Sequence, residues 1–310
     1  MKMWGLRPHA PAERDAPWFP PDAGQGPDGV QPHQIRSPFP RREAGRGMAA
    51  PRRHLGRLAP AASAHARTSR ARYHRGMATR AKTPAAARTK RDSAPAWTPT
   101  ELIAILDETY GRAPQQASAA PVFELVLTLL SQHTSDRNSG QAMHRLIECF
   151  PTWDAILAAP VRDVEDAIRA GGLAPTKSKR LQALLTEVKT RRPDWDLDFL
   201  GGLPLAEAKA WLTSLPGVGP KTAACVLLFA LERPALPVDT HVERVSKRLG
   251  LVPAKMPADR AHDALEALLR PDEVYAFHVD LIQHGRRTCH ARGPRCEECP
   301  LEARCPKVGV

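Results

Sequence analysis

Six cysteines occur in the 310 residues, and four of them crowd the C-terminus: Cys289, Cys296, Cys299 and Cys305, spaced C-x6-C-x2-C-x5-C. Four thiolates in so short a segment can converge on one soft metal centre, because a single loop can wrap it. Tetrahedral zinc usually takes its sulfurs from two separated C-x2-C knuckles, whereas here one C-x2-C is flanked by longer arms. That spacing suits the corners of a [4Fe–4S] cube better, with zinc as the alternative. Cys149 and Cys225 fall on apolar helix faces and read as buried structural thiols. Nothing in the sequence indicates secretion, so free or metal-bound thiols are expected rather than disulfides.

A second constellation pairs an amine with a carboxylate. The stretch Leu215-Pro216-Gly217-Val218-Gly219-Pro220-Lys221-Thr222-Ala223 joins two predicted helices. Pro216 stops the first, and Gly217 and Gly219 permit a tight turn. A helix-hairpin-helix of this kind leaves backbone N–H groups free, and these can hold a phosphate without net positive charge. Lys221 falls in the first turn of the second helix, where the macrodipole favours a neutral amine over an ammonium. A neutral amine is what imine chemistry needs. Downstream, Pro237-Val238-Asp239-Thr240-His241 puts Asp239 at the next helix start, well placed as N-cap. Each residue has a plain structural reading, as a solvated lysine and a capping carboxylate. Together they set one amine and one carboxylate at two helix starts able to face one cleft.

The elements that must position these groups are helices. Thr98-Pro99-Thr100-Glu101 reads as a capping box, with Trp97 and Leu102 as a hydrophobic staple, and this helix runs to about Tyr110 and stops at Gly111. Helical periodicity then predicts segments over 121–132, 138–150, 152–158, 160–170, 178–191, 204–214, 221–232, 240–249, 257–269 and 271–284. In 138–150 one stripe is formed by Met143, Leu146, Ile147 and Phe150. No alternating β-branched run competes, so an all-α fold is expected.

Charge divides the chain. Residues 1–96 hold 19 Lys/Arg against 6 Asp/Glu, whereas 97–310 hold 26 against 27, so the excess positive charge of +12 lies wholly in the first third. That third has thirteen prolines and only seven Leu, Ile, Val or Phe, too little apolar surface to offset about 1–2 kcal/mol per residue of backbone ordering entropy. It reads as a disordered basic tail that would add salt-sensitive, non-specific nucleic-acid affinity. An organelle transit peptide could have this composition; a start codon placed too far upstream, with Met77 or Met48 as the true start, explains it more simply. No apolar run approaches the roughly 20 residues that span a bilayer. A cytoplasmic protein without a membrane partner is expected.

L-P-G-V-G-x-K-T-A, then V-D-T-H, then H-G-R-x-T-C with the four cysteines, occurring in this order, resemble the endonuclease III family of DNA glycosylases. The resemblance covers roughly residues 97–310. It implies a helix-hairpin-helix glycosylase fold. A six-helix barrel domain would span 114–233, with its hairpin at 204–232. A second helical domain would be built from 97–113 and 234–310 and carry an iron–sulfur loop at 289–305. It further implies that Lys221 is the nucleophile, that Asp239 is its acidic partner, and that Cys289, Cys296, Cys299 and Cys305 ligate [4Fe–4S] rather than zinc. The partner would be double-stranded DNA with damaged bases or abasic sites, met by a monomer.

Further positions carry over from the same resemblance. Leu130-Ser131-Gln132-His133-Thr134-Ser135-Asp136 stands where the family commonly has L-S-A-Q-A-T-D. His133 thus replaces the glutamine that fills the gap left by a flipped base, and Gln132 is one residue away. Leu173, in Gly171-Gly172-Leu173, resembles the apolar wedge between bases, with core packing as the alternative, and His241 resembles a further residue entering the gap. Pro220 departs from the arginine often found before the lysine, which puts one phosphate contact in doubt. Two basic groups are candidate DNA contacts: Lys177, Lys179, Arg180, Lys189, Arg191 and Arg192, and the better-placed Arg286, Arg287, Arg292 and Arg295 around the cysteines. The function expected is base-excision repair by a bifunctional glycosylase that removes oxidised pyrimidines and cleaves the abasic strand by Schiff-base β-elimination. The competing readings are a monofunctional mismatch glycosylase, against which Lys221 argues, and a non-catalytic iron–sulfur DNA-binding protein.

Overall fold

The computed structural model describes residues 97–112, 114, 115 and 120–310. The tail expected over 1–96 lies outside the described residues. Those described are helical, with no strand among them. The helices are α1 Pro99–Tyr110, α2 Pro121–Leu130, α3 Asp136–Cys149, α4 Trp153–Ala158, α5 Val161–Ala167, α6 Ala174–Arg191, α7 Leu205–Thr213, α8 Pro220–Cys225, α9 Thr240–Arg248, α10 Ala258–Glu266 and α11 Val274–Arg287. Local chemistry explains several starts. The Thr98 hydroxyl accepts from Glu101 N–H, and the Glu101 carboxylate accepts from Thr98 N–H at 2.9 Å, closing the capping box. Ser135 caps α3, Thr152 caps α4 and Asp239 caps α9.

Several elements differ from their sequence periodicity, three of them near the cleft or the loops that lead to it. Helix α6 begins at Ala174 rather than 178, because Pro175 sits in the first turn, where its missing N–H costs no hydrogen bond. The 160–170 segment ends early, at Ala167, and a 3-10 turn over Arg169–Gly171 leads into Leu173. The segment after Lys221 is α-helical only to Cys225 and widens into a π turn over Val226–Ala230. Such turns recur at functional sites. This one shares the segment between two hydrophobic cores.

The first core gathers α2 to α8 around Phe123, Leu127, Met143, Ile156, Leu184 and Val226. The second gathers α1 and α9 to α11 around Leu102, Leu106, Leu228, Phe229, Val245 and Phe277. Ala235 packs in the first core, whereas Cys225, Leu228 and Phe229 belong to the second. A division at 233/234 would therefore cut through shared packing. Helices α9 and α11 approach closely because Gly285 has no side chain: a Cβ there would lie 2.9 Å from His241 Nδ1 and 3.0 Å from Arg244 Nη2.

Candidate active site

Where α2, α8, α9 and α11 meet, a cleft of about 540 Å³ opens, lined among others by Glu124, Gln132, His133, Lys221, Cys225, Asp239, His241, His278 and Arg286. Lys221 reaches it from the first turn of α8, following the hairpin. Gly217 there takes φ 77°, and Gly219 is extended and forms the N-cap of α8. Asp239 reaches it from the start of α9. Its Oδ1 accepts both His241 N–H (2.9 Å) and Val242 N–H (2.8 Å), which holds the carboxylate rigid and leaves Oδ2 available.

The structure reverses the expectation that Lys221 is held neutral. Burial alone would depress its pKa, but a hydrogen bond to the Cys225 sulfur and the nearby Asp239 and Glu124 carboxylates oppose this, and the balance lies above the ordinary lysine value. Cys225, one helical turn on, is buried as read from sequence but lines the cleft beside Lys221. Burial pushes its thiol up to about 11, so it faces the ammonium as a neutral group. His278 lies deep in the same wall, its Nδ1 2.8 Å from Pro237 O, and burial pushes its pKa down to about 4. Sequence reasoning missed Cys225, Glu124, Thr128 and His278 as site residues. Their helical spacing matches that of any core position, and only the crossing of α2, α8 and α11 brings them to Lys221.

The residues expected to contact DNA separate into groups. His133 and Leu173 both adopt left-handed backbone, at φ 54° and 51°. Leu173 is 58% exposed, so core packing is not its role. Gln132, His133 and His241 line the cleft. Arg286 lines it too, but its guanidinium donates to Asp136 Oδ2. Arg287 lies over the Tyr110 ring at 5.3 Å, Arg295 pairs with Glu298 at 3.9 Å, and Arg292 is exposed. The first basic group is largely committed to structure. Lys177 is buried, Lys189 and Arg192 stack over Trp195 and Phe199, and Arg191 bonds Glu187 and Ser214. Cys149 is exposed rather than buried, because the apolar stripe of α3 runs through Met143, Leu146, Ile147 and Phe150, and Cys149 points off that face.

The four C-terminal cysteines carry free thiols and line a single pocket with Val245, Leu249 and His284. Among the described residues no three His, Cys, Asp or Glu side chains form a group that could hold one metal ion. The four sulfurs nevertheless share the lining of that one pocket, so a soft metal centre is the chemistry this donor set could serve. Polar neighbours complete the setting. Arg248 Nη1 donates to Cys289 Sγ at 3.3 Å and to His290 O at 2.6 Å, and His284 Nε2 lies 3.7 Å from Cys299 Sγ. Burial pushes the Cys299 thiol up to about 11, so loading a metal there must release protons.

These features define a helix-hairpin-helix protein of DNA base-excision repair. Residues 126–271 match the HhH-GPD superfamily base excision DNA repair protein. An Arabidopsis thaliana relative, named as a DNA glycosylase, is 37% identical over 187 residues, 60% of this chain and 61% of that one. Endonuclease III of Thermotoga maritima is 36% identical over 189 residues, 60% of this chain and 82% of the relative. Among solved structures, a trapped endonuclease III–DNA covalent intermediate matches with TM-score 0.58 and 30% identity, over 68% of this chain and 97% of that one. The chain belongs to the endonuclease III family of base-excision repair glycosylases.

Proposed function

We propose that the chain is a bifunctional DNA glycosylase and abasic-site lyase that removes oxidised pyrimidines from double-stranded DNA, with Lys221 as nucleophile and Asp239 as its acidic partner. The observation that carries this is Lys221 and Asp239 facing one cleft from two helix starts, with the phosphate-holding hairpin directly before the lysine. The damaged nucleotide must leave the stack to enter the cleft, which costs a few kcal/mol and least where pairing is already weakened. The Lys221 ammonium yields its proton through Asp239 to the departing base. The freed amine then attacks C1′, forming a C–N bond as the glycosidic bond breaks, while the Asp239 carboxylate offsets cationic character at the sugar. Opening of the sugar ring leaves a protonated imine on Lys221. It acidifies the C2′ hydrogen, and loss of that proton expels the 3′ phosphate. Cys225, neutral and apolar, keeps water from the amine without competing as a charge.

Cys289, Cys296, Cys299 and Cys305 would hold a [4Fe–4S] cluster. When bound, it would cross-link the C-terminal loop and can store or pass one electron. A monomer is the expected form, with only four large hydrophobics exposed among the described residues: Val161, Leu173, Leu268 and Val310.

The test is borohydride trapping on duplexes carrying thymine glycol or an abasic site, with wild type beside Lys221→Gln. A covalent protein–DNA band that needs Lys221 is expected. Base release without trapping would make the enzyme monofunctional, and binding with neither product would remove both catalytic assignments.

A further inference from the structure

Lys177 is 3% exposed, an unusual position for a lysine. It sits in the first turn of α6, and its ammonium donates to two backbone carbonyls: Leu130 O at 2.7 Å and Gly171 O at 2.8 Å. Among the described residues it has no carboxylate partner. Burial, uncompensated, lowers its pKa. The two acceptors are the ends of two separate elements. Leu130 is the last residue of α2, whose terminal carbonyls lack helical partners and carry the negative end of the dipole. Gly171 closes the 3-10 turn after α5, and a Cβ there would come within 3.1 Å of Ala142 Cβ. Directly beyond these carbonyls run Ser131 to Thr134, with His133 at φ 54°, and Gly172–Leu173, with Leu173 at φ 51° and projecting into solvent. A methionine would fill the same volume without the cost of burying a charge. The ammonium therefore does what packing cannot: it ties two loop roots, 41 residues apart in sequence, to one point.

We infer that Lys177 is a positioning residue that sets the spacing between the His133 loop and the Leu173 wedge, so that both enter a damaged duplex in register. This rests on the proposed glycosylase reading for what the two loops do. Strained left-handed residues persist only where their surroundings over-determine them, and Lys177 holds both roots. The experiment measures affinity for a duplex with a stable abasic analogue, with 2-aminopurine as the neighbouring base to report insertion. Wild type, Lys177→Met, Leu173→Ala and the double variant are compared. Displacing a contact by about 1 Å can cost up to about a hundredfold, so Lys177→Met should weaken binding roughly tenfold and reduce the insertion signal, with helix content retained by circular dichroism. In the Leu173→Ala background the same change should cost less than about threefold, because the two act through one loop pair. Additive losses, or wild-type affinity and fluorescence in Lys177→Met, would overturn the inference. If Lys177→Met does not fold, Lys177→Gln, which keeps a shorter donor, takes its place under the same non-additivity criterion. Borohydride trapping and base release by wild type are the controls: failure of both sinks the glycosylase reading itself, whereas their success with additive Lys177 effects sinks only the positioning role.

Discussion

The two cores are built on different physics. Around α2 to α8 the interior is aliphatic, and its buried ionisable groups are Glu124, bonded by Thr128, and Lys177. Around α1 and α9 to α11, by contrast, Arg248, His262, Glu273, His278, Asp280 and His284 are all buried, and the four thiols lie at its edge. Stability in the first region thus follows mainly apolar area, at roughly 25 cal/mol per Å², with the burial-lowered Lys177 as its buried exception. In the second it depends on protonation states and on what the thiols hold. The cleft lies between them. The aliphatic side supplies Lys221 and the rigid roots of the probing loops, and the polar side supplies Asp239 and His278.

That contrast can be broken at four places. The largest effect is expected at Asp239→Asn, since asparagine caps a helix about as well as aspartate. Turnover should fall by about 10²–10⁴-fold while the melting temperature holds. Because the Asp239 charge helps raise the Lys221 pKa, the acid limb of residual trapping should also move to lower pH. An equal loss of stability and activity would make Asp239 a cap only. Next, Cys299→Ser should abolish the visible absorption of the purified protein and cost on the order of 4 kcal/mol, or about 10 °C. An unchanged spectrum would remove Cys299 from the ligand set.

Leu184→Ala, fully inside the aliphatic core, should cost about 2–5 kcal/mol, and by the same amount from pH 5 to pH 8. A strong pH dependence there would contradict the division drawn above. Asp280 is the opposite case. Burial, helped by the nearby Asp107, raises its pKa from 3.8 to about 7, against a smaller pull from Arg112. The folded chain holds this proton where the unfolded chain has lost it, so the group's contribution falls as pH rises from about 4 to about 7 and is a full penalty above that. Asp280→Asn should therefore raise stability at pH 8 by roughly 1–3 kcal/mol, change little at pH 4, and flatten the profile between. Parallel shifts at both pH values would show that Asp280 is already ionised in the fold.

How much of this was legible in the sequence depended on the range of the forces involved. The capping box at Thr98, the hairpin before Lys221, the Asp239 cap and the cysteine spacing are signals confined to a few neighbouring residues, and each was readable directly. Lys177 was not. As one lysine in a basic run it looked solvated, and only the meeting of the α2 and α5 ends buries it. Leu173 was ambiguous between wedge and core, because an apolar side chain at a loop has no periodicity to place it. The π turn after Cys225 has no local signature in this sequence; the need to serve two cores at once creates it.

Residue types and spacing by themselves determined the helical class, the family, the amine–carboxylate pair and the thiol set, since these rest on local hydrogen bonding and on motifs carried whole in the chain. Tertiary structure decided the states in which those groups meet. It made Lys221 an ammonium rather than a free amine, turned Cys225 from a core thiol into a wall of the cleft, and turned Lys177 from a surface charge into a buried tie. Charge state and burial are set by neighbours distant in sequence, through desolvation and Coulomb terms that no local pattern contains.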